Sequence, residues 1–184
     1  MAWFGLFGRK RKNRELIERL YAVIVQHARL AGFYRDLGVP DTVDGRFELL
    51  TLYMTLVTRR LRVMASPGPD IAQDLVDLTF GQFEAALREM GVGDISVPKR
   101  MKVMAGAFLG RASAYDQALR SGDRPGLETA LTRNLYGKSP TPLNAVEKIA
   151  DNVLQSVEAL ENLSMDAYIA GQLPFPVLVS DPAP

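Results

Sequence analysis

Asp44-Gly45-Arg46-Phe47-Glu48-Leu49-Leu50-Thr51-Leu52-Tyr53-Met54-Thr55-Leu56-Val57-Thr58-Arg59-Arg60-Leu61-Arg62-Val63-Met64 is the stretch on which the fold turns. Phe47, Leu50, Met54, Val57, Leu61 and Met64 recur at the three- and four-residue intervals of one helix face. Leu49, Leu52, Tyr53 and Leu56 form a second apolar face, leaving a narrow polar strip with Thr51, Thr55, Thr58 and Arg62. A helix that is apolar on two faces has to be covered on both, so it belongs in the middle of a domain. Thr42 is placed to cap it. Asp44 suits the positive end of the helix dipole, and Arg59, Arg60 and Arg62 suit the negative end. Arg46 has no such explanation. Gly45, in the first turn, adds no stability and points to a close approach by another backbone or by a partner.

Outward from this segment, strand signals are nearly absent and helical spacing continues. The pattern predicts a helix over 13–31, with Leu16, Leu20, Val23, His27 and Leu30 inward. After the stop at Ser66-Pro67-Gly68-Pro69, it predicts one over 70–90 through Ile71, Leu75, Leu78, Phe83, Leu87 and Met90. A helix over 97–120 uses Met101, Met104, Ala105, Phe108, Ala112, Tyr115 and Leu119. Gly106 and Gly110 interrupt it at a cost of about 1 kcal/mol each, for which close packing of another helix would compensate. A shorter helix over 125–135 and a last one from Pro142 to about residue 162 follow, with Ser164 placed to cap one more turn. The expectation is an all-α, single compact domain of about six helices with a buried central helix over 44–64. Residues 1–12 form an apolar and basic N-terminal segment, residues 13–170 the helical domain and residues 171–184 a Pro-rich extended tail. The tail either packs through Phe175 and Leu178 or stays unpacked.

The chain has 184 residues, 47% of them hydrophobic, which is enough for one real core. It has no cysteine and one histidine, so disulfides, thiolate chemistry and histidine-rich metal sites are excluded. Five of its 22 basic residues fall within residues 1–14, where there is no acid; the other 17 face 21 acids. A mildly acidic body argues against DNA as the partner. Trp3, Phe4, Leu6 and Phe7 precede Arg9, Lys10, Arg11 and Lys12, an order that suits contact with an anionic membrane surface rather than a secretory signal. No apolar run is long enough to span a bilayer.

The second informative stretch is Met90-Gly91-Val92-Gly93-Asp94-Ile95-Ser96-Val97-Pro98-Lys99-Arg100-Met101. Gly91 is placed to end one helix in a left-handed turn, with Val92 folding back toward Leu87. Ser96 can cap the next helix, and Pro98 is tolerated in its first turn. Lys99 and Arg100 then stand at a helix N-terminus, where a cation costs roughly 0.3–1 kcal/mol. Either Asp94 offsets them, or they are kept for a partner.

Catalytic signatures are missing: there is no P-loop, dinucleotide fingerprint or nucleophile elbow. His27 lies on an apolar stripe and reads as a structural histidine rather than a ligand. The methionines read as core, with a Met-rich groove for a partner's apolar segment as the alternative. A deep polar pocket joining Asp44, Arg46 and Lys99 would argue for an enzyme.

Val39-Pro40-Asp41-Thr42-Val43-Asp44-Gly45-Arg46-Phe47-Glu48-Leu49-Leu50 resembles the signature of the ubiquinol–cytochrome c chaperone family. Arg88-Glu89-Met90-Gly91-Val92-Gly93-Asp94-Ile95-Ser96-Val97-Pro98-Lys99-Arg100-Met101-Lys102 resembles its second signature, and the likeness continues through Phe108-Leu109-Gly110-Arg111 to Tyr115 and loosely through Leu131, Asn134, Leu135 and Tyr136. The resemblance implies an all-helical, non-enzymatic assembly chaperone for the cytochrome bc1 complex that needs no cofactor. Its implied partners are newly made cytochrome b or another bc1 subunit, with a small partner protein or the ribosome as further ones. The short segment before the domain, which lacks a presequence pattern, implies a bacterial member, cytoplasmic and peripheral at the inner membrane. A eukaryotic member would sit in the mitochondrial matrix. The alternative function is a peripheral adaptor that binds anionic lipid and another protein without a cytochrome b client. The residues expected to meet a client or partner are Asp44, Gly45, Arg46, Phe47, Met90, Gly91, Val92, Gly93, Asp94, Val97, Pro98, Lys99 and Arg100.

Overall fold

A computed structural model describes the backbone of residues 3–137 and 139–178 and the side chains of residues 13–137 and 139–178. The long segment that opened the sequence reading is the helix α3 (Val43–Val63), and it is the centre of the molecule. The Thr42 hydroxyl accepts a hydrogen bond from the Gly45 amide at 3.1 Å, closing its N-terminus. Leu49, Leu52, Tyr53, Met54, Val57 and Leu61 are completely buried. At about 2 kcal/mol for each large apolar side chain removed from water, this helix anchors the core.

The expected polar strip is the first correction. Thr51, Thr55 and Thr58 are buried along with the apolar faces. The Thr55 and Thr58 hydroxyls donate to the carbonyls of Thr51 and Met54, each at 2.7 Å. A threonine that returns its hydroxyl to its own helix presents only a methyl group to its neighbours.

Packed against α3 are α1 (Trp3–Ala28), α4 (Gly68–Glu89), α5 (Val97–Ser121) and α7 (Ala145–Glu161). Between them run α2 (Ala31–Arg35), α6 (Arg124–Leu131) and a π-helical turn (Thr132–Tyr136), and α8 (Met165–Ile169) follows α7. The extra elements beyond the expected six are single turns, too short for periodicity to reveal. Ser164 does cap α8, accepting from the Ala167 amide at 3.3 Å. Arg59 ties the C-terminal end of α3 to its neighbours through Asp116 at 3.1 Å and Glu161 at 3.4 Å.

Three further expectations shift. Helix α1 starts at Trp3, not near residue 13. The side chains of Trp3, Phe4, Leu6, Phe7, Arg9, Lys10, Arg11 and Lys12 lie outside the described residues. Within α1, Ile24 is fully buried, whereas Leu30, past the helix end, is exposed. Gly106 and Gly110 do not meet another helix: a Cβ at either would find nothing within 4 Å.

The tail packs as far as it is described. Phe175 stacks on the His27 ring at 4.5 Å, and the Asn152 amide donates to the Pro176 carbonyl at 3.4 Å. Leu178 also packs on the core. His27 is buried among Phe33, Tyr53 and Phe175. That burial pushes its pKa down to about 4, against an opposing pull from Asn152.

Candidate functional site

At its N-terminal end the apolar stripe of α3 stops being covered. Phe47 and Leu50 are half-buried, while Met54 and Leu61 further along are fully buried. They open into a groove of about 1340 Å³. One wall is α4, with Phe83, Ala86 and Met90; the next is α5, with Lys99, Arg100, Val103 and Met104. Tyr21 and Val25 of α1, with Arg29 just past its end, close the other side, and Arg133 and Asn134 of the π-helical turn stand at the end. The lining is predominantly apolar.

Phe47 and Phe83 line the groove and continue into a row of packed rings behind it. Phe47 lies 5.3 Å from Phe83, Phe83 lies 5.8 Å from Phe80, and Phe80 lies 5.4 Å from Phe108. The Arg111 guanidinium sits 5.7 Å from the centre of the Phe47 ring. Its Nε donates to the buried Glu48 carboxylate, and another guanidinium nitrogen donates to the Ala107 carbonyl at 3.1 Å. Burial raises the Glu48 pKa and Arg111 pulls it back down. An acid this deep is kept only with a partner, so the pair holds α5 and α3 at a set separation beneath the groove. Asn134 donates to the Tyr115 hydroxyl at 3.1 Å, and burial raises the pKa of that phenol.

The α4–α5 corner is built as its sequence indicates, with one exception. Gly91 has φ +79°, the Gly91 amide donates to the Arg88 carbonyl at 3.0 Å, and the Val92 amide donates to the Leu87 carbonyl at 3.0 Å. These are the paired bonds of a Schellman turn. Ser96 stands at the helix start but makes no side-chain cap. Its backbone is already helical (φ −90°, ψ −23°) rather than in the extended conformation of a capping residue. Val97 is buried and pins the corner.

Asp94 does not offset Lys99 and Arg100. It pairs with Arg88, which also holds Glu84 at 2.9 Å. Lys99 and Arg100 are exposed and have no ion-pair partner among the described residues. Arg46, by contrast, is paired with Asp41 at 2.7 Å.

Of the residues singled out from sequence, Asp44, Arg46, Phe47, Met90, Lys99 and Arg100 line this one groove. Met90, read inward from the α4 pattern, is 55% exposed at the groove's edge. Gly45, Gly91, Val92, Gly93, Asp94, Val97 and Pro98 do not line it. Gly45 resolves to an intramolecular reason: a Cβ there would collide with the Pro40 carbonyl oxygen. The Glu48–Arg111 pair, Phe83 and Arg133 were not foreseen. The signal for Glu48 was present, since it adjoins Leu49 on a helix with almost no solvent face.

Asp44, Arg46 and Lys99 therefore share a cavity, but it is an open apolar trough and not a deep polar pocket. No cluster of metal-ligating side chains occurs among the described residues.

The family described as ubiquinol-cytochrome C chaperone matches residues 35–175, a span that includes both motifs. The chain is 24% identical over 166 residues to ubiquinol-cytochrome-c reductase complex assembly factor 1 of Xenopus laevis, covering 90% of this chain and 82% of the frog protein. It is 29% identical over 147 residues to Protein CBP3, mitochondrial, of Saccharomyces cerevisiae, covering 78% of this chain and 44% of the yeast protein. The crystal structure of the Cbp3 homolog from Brucella abortus matches with a TM-score of 0.85 and 36% identity, over 96% of this chain and 98% of that one.

Proposed function

The chain belongs to the ubiquinol-cytochrome C chaperone family, and from that premise we propose that it is an assembly factor for the cytochrome bc1 complex whose groove holds an apolar segment of newly made cytochrome b. The observation that carries this reading is convergence. Two motifs about 45 residues apart in sequence place Phe47 and Met90, with Lys99 and Arg100, on a single trough.

The chemistry fits a holding role. An unassembled membrane segment exposes apolar surface, at about 25 cal/mol for each Å² left in water. Phe47, Leu50 and Phe83 offer a rigid apolar floor, while Met90 and Met104 are flexible enough to adapt to different side chains. Lys99 and Arg100 then meet acidic groups that flank the apolar segment. Keeping both cations unpaired at a positive helix end makes them available to an incoming anion.

Lys99→Glu with Arg100→Glu tests this reading. Both side chains are exposed and acids suit a helix N-terminus, so the fold should be kept or gain stability. The amount of assembled bc1 complex in membranes should fall, and cytochrome b should cease to copurify with the variant. Normal assembly in this variant sinks the proposal.

A further inference from the structure

We infer that the outward face of α5, together with the Ile95 corner that precedes it, is a docking surface for an anionic lipid bilayer. This surface shares Lys99 and Val103 with the edge of the groove, whereas Ile95, Lys102 and Leu109 lie outside it. Ile95 is 95% exposed, Val103 67% and Leu109 63%. Ile95 and Leu109 lie outside the groove, and Val103 stands at its edge. The same stretch carries Lys99 and Lys102 on its outer side, and no acid occurs between Asp94 and Asp116. Lys99 and Lys102 are exposed and without ion pairs among the described residues.

Helix geometry gathers Lys99, Lys102 and Val103 on one side of α5. Phe108 and Tyr115 are buried on the inner side of α5. At 100° per residue, positions 99, 102, 103, 106 and 110 fall on the opposite side, with 109 at its border. Gly106 and Gly110 lie flat between the lysines and Leu109, with nothing near a Cβ at either. The result is aliphatic tips set among cations on an even face, on a molecule whose residues beyond 14 hold 17 basic against 21 acidic groups.

Aliphatic tips among lysines match the chemistry of a lipid interface, where the tips enter the acyl boundary and the cations stay at the anionic headgroups. A nucleic acid would use the lysines but give Ile95 and Leu109 nothing to enter. No helix among the described residues is long and apolar enough to cross a membrane, so any lipid contact they make is at the surface. Because Lys99 and Val103 also border the groove, docking this face brings the mouth of the groove to the bilayer.

The chain has no cysteine, so single cysteines can be labelled in the full-length protein. An environment-sensitive fluorophore is placed at Ile95→Cys, at Leu109→Cys and, as a control, at Leu143→Cys, which is 90% exposed on the segment leading into α7. The probe surface is phosphatidylcholine vesicles with and without phosphatidylglycerol. A blue shift at 95 and 109, dependent on the anionic lipid and absent at 143, is the expected result. In cosedimentation, Lys102→Glu with Leu109→Asp should lower the apparent affinity at least about tenfold. Neither residue lines the groove, so this loss is separable from a client defect. The inference is overturned if the chain does not bind anionic vesicles, or if it binds them through residues 1–12 with no shift at 95 and 109. Equal shifts at all three positions overturn it, as do shifts produced by a client peptide but not by vesicles.

Discussion

Five residues separate Phe47 from Tyr53 on α3, and the two aromatic side chains meet opposite fates. Tyr53 is fully enclosed: His27 lies 4.4 Å away, Phe33 5.7 Å and Phe175 5.3 Å, and its hydroxyl donates to Asn152 at 2.6 Å. Phe47 sits in a comparable set of rings, with Phe83 and Phe80, but one side is open. The chain closes the first cluster with its own tail and leaves the second uncovered. Stability alone gives no reason to treat them differently, since apolar surface gains by burial at either end of the helix. The closed cluster holds the fold, and the open one has surface left for another molecule.

Tyr53→Ala should give the largest effect, about 3–5 kcal/mol lost in a denaturant titration. Phe47→Ala should cost clearly less, because part of that ring already faces water. Its effect belongs instead in bc1 assembly. Equal stability losses for the two would break the comparison and make the groove merely a shallow part of the core.

His27 sharpens the same contrast through pH. Its pKa is about 4 in the folded protein against an ordinary 6.5. Below pH 6.5 the unfolded chain takes up a proton that the buried imidazole refuses. Stability present above pH 6.5 is thus lost as pH falls toward 4, by about 3 kcal/mol in all. Glu48 has the opposite sign, since its raised pKa favours the folded state as the pH drops toward the ordinary carboxylate range. The difference between the wild type and His27→Phe isolates the histidine. In thermal melts from pH 7 to 4, the variant should show the flatter decline and keep the ring stack on Phe175. Parallel declines would mean that the tail does not seal this cluster.

The closed half of the molecule was more legible in sequence than the open half. Tyr53, Leu61 and Ile71 are buried as their spacing indicates, because periodicity reports which face is covered. Periodicity does not report where covering stops. Phe47 and Met90 belong to the same stripes as buried residues, and only the structure separates the groove from the core. Thr55 and Thr58 misled because a hydroxyl bonded to its own helix is indistinguishable in sequence from one facing water. Lys99 and Arg100 were legible as cations against the local dipole, and Asp94 was the wrong partner for them because Arg88, on the preceding helix, reaches it first. The tail offered two fates, and the aromatic partner waiting at His27 decides between them.

The smallest expected effect concerns the uncovered face of α5. Gly106 and Gly110 sit inside a helix with no neighbour within 4 Å of a Cβ. Alanine at either should therefore raise stability by about 0.5–1 kcal/mol, through the reduced freedom of the unfolded chain. The melting temperature of the double variant should rise by several degrees. A fall instead would mean that this face is covered in solution, as in self-association, and that it belongs with Tyr53 on the closed side of the comparison. A rise accompanied by weaker vesicle binding carries the most information. The glycines would then be costing the helix stability while keeping its outer surface low enough for Ile95, Val103 and Leu109 to reach the lipid together, and α5 would join the groove as surface left open for something outside the chain.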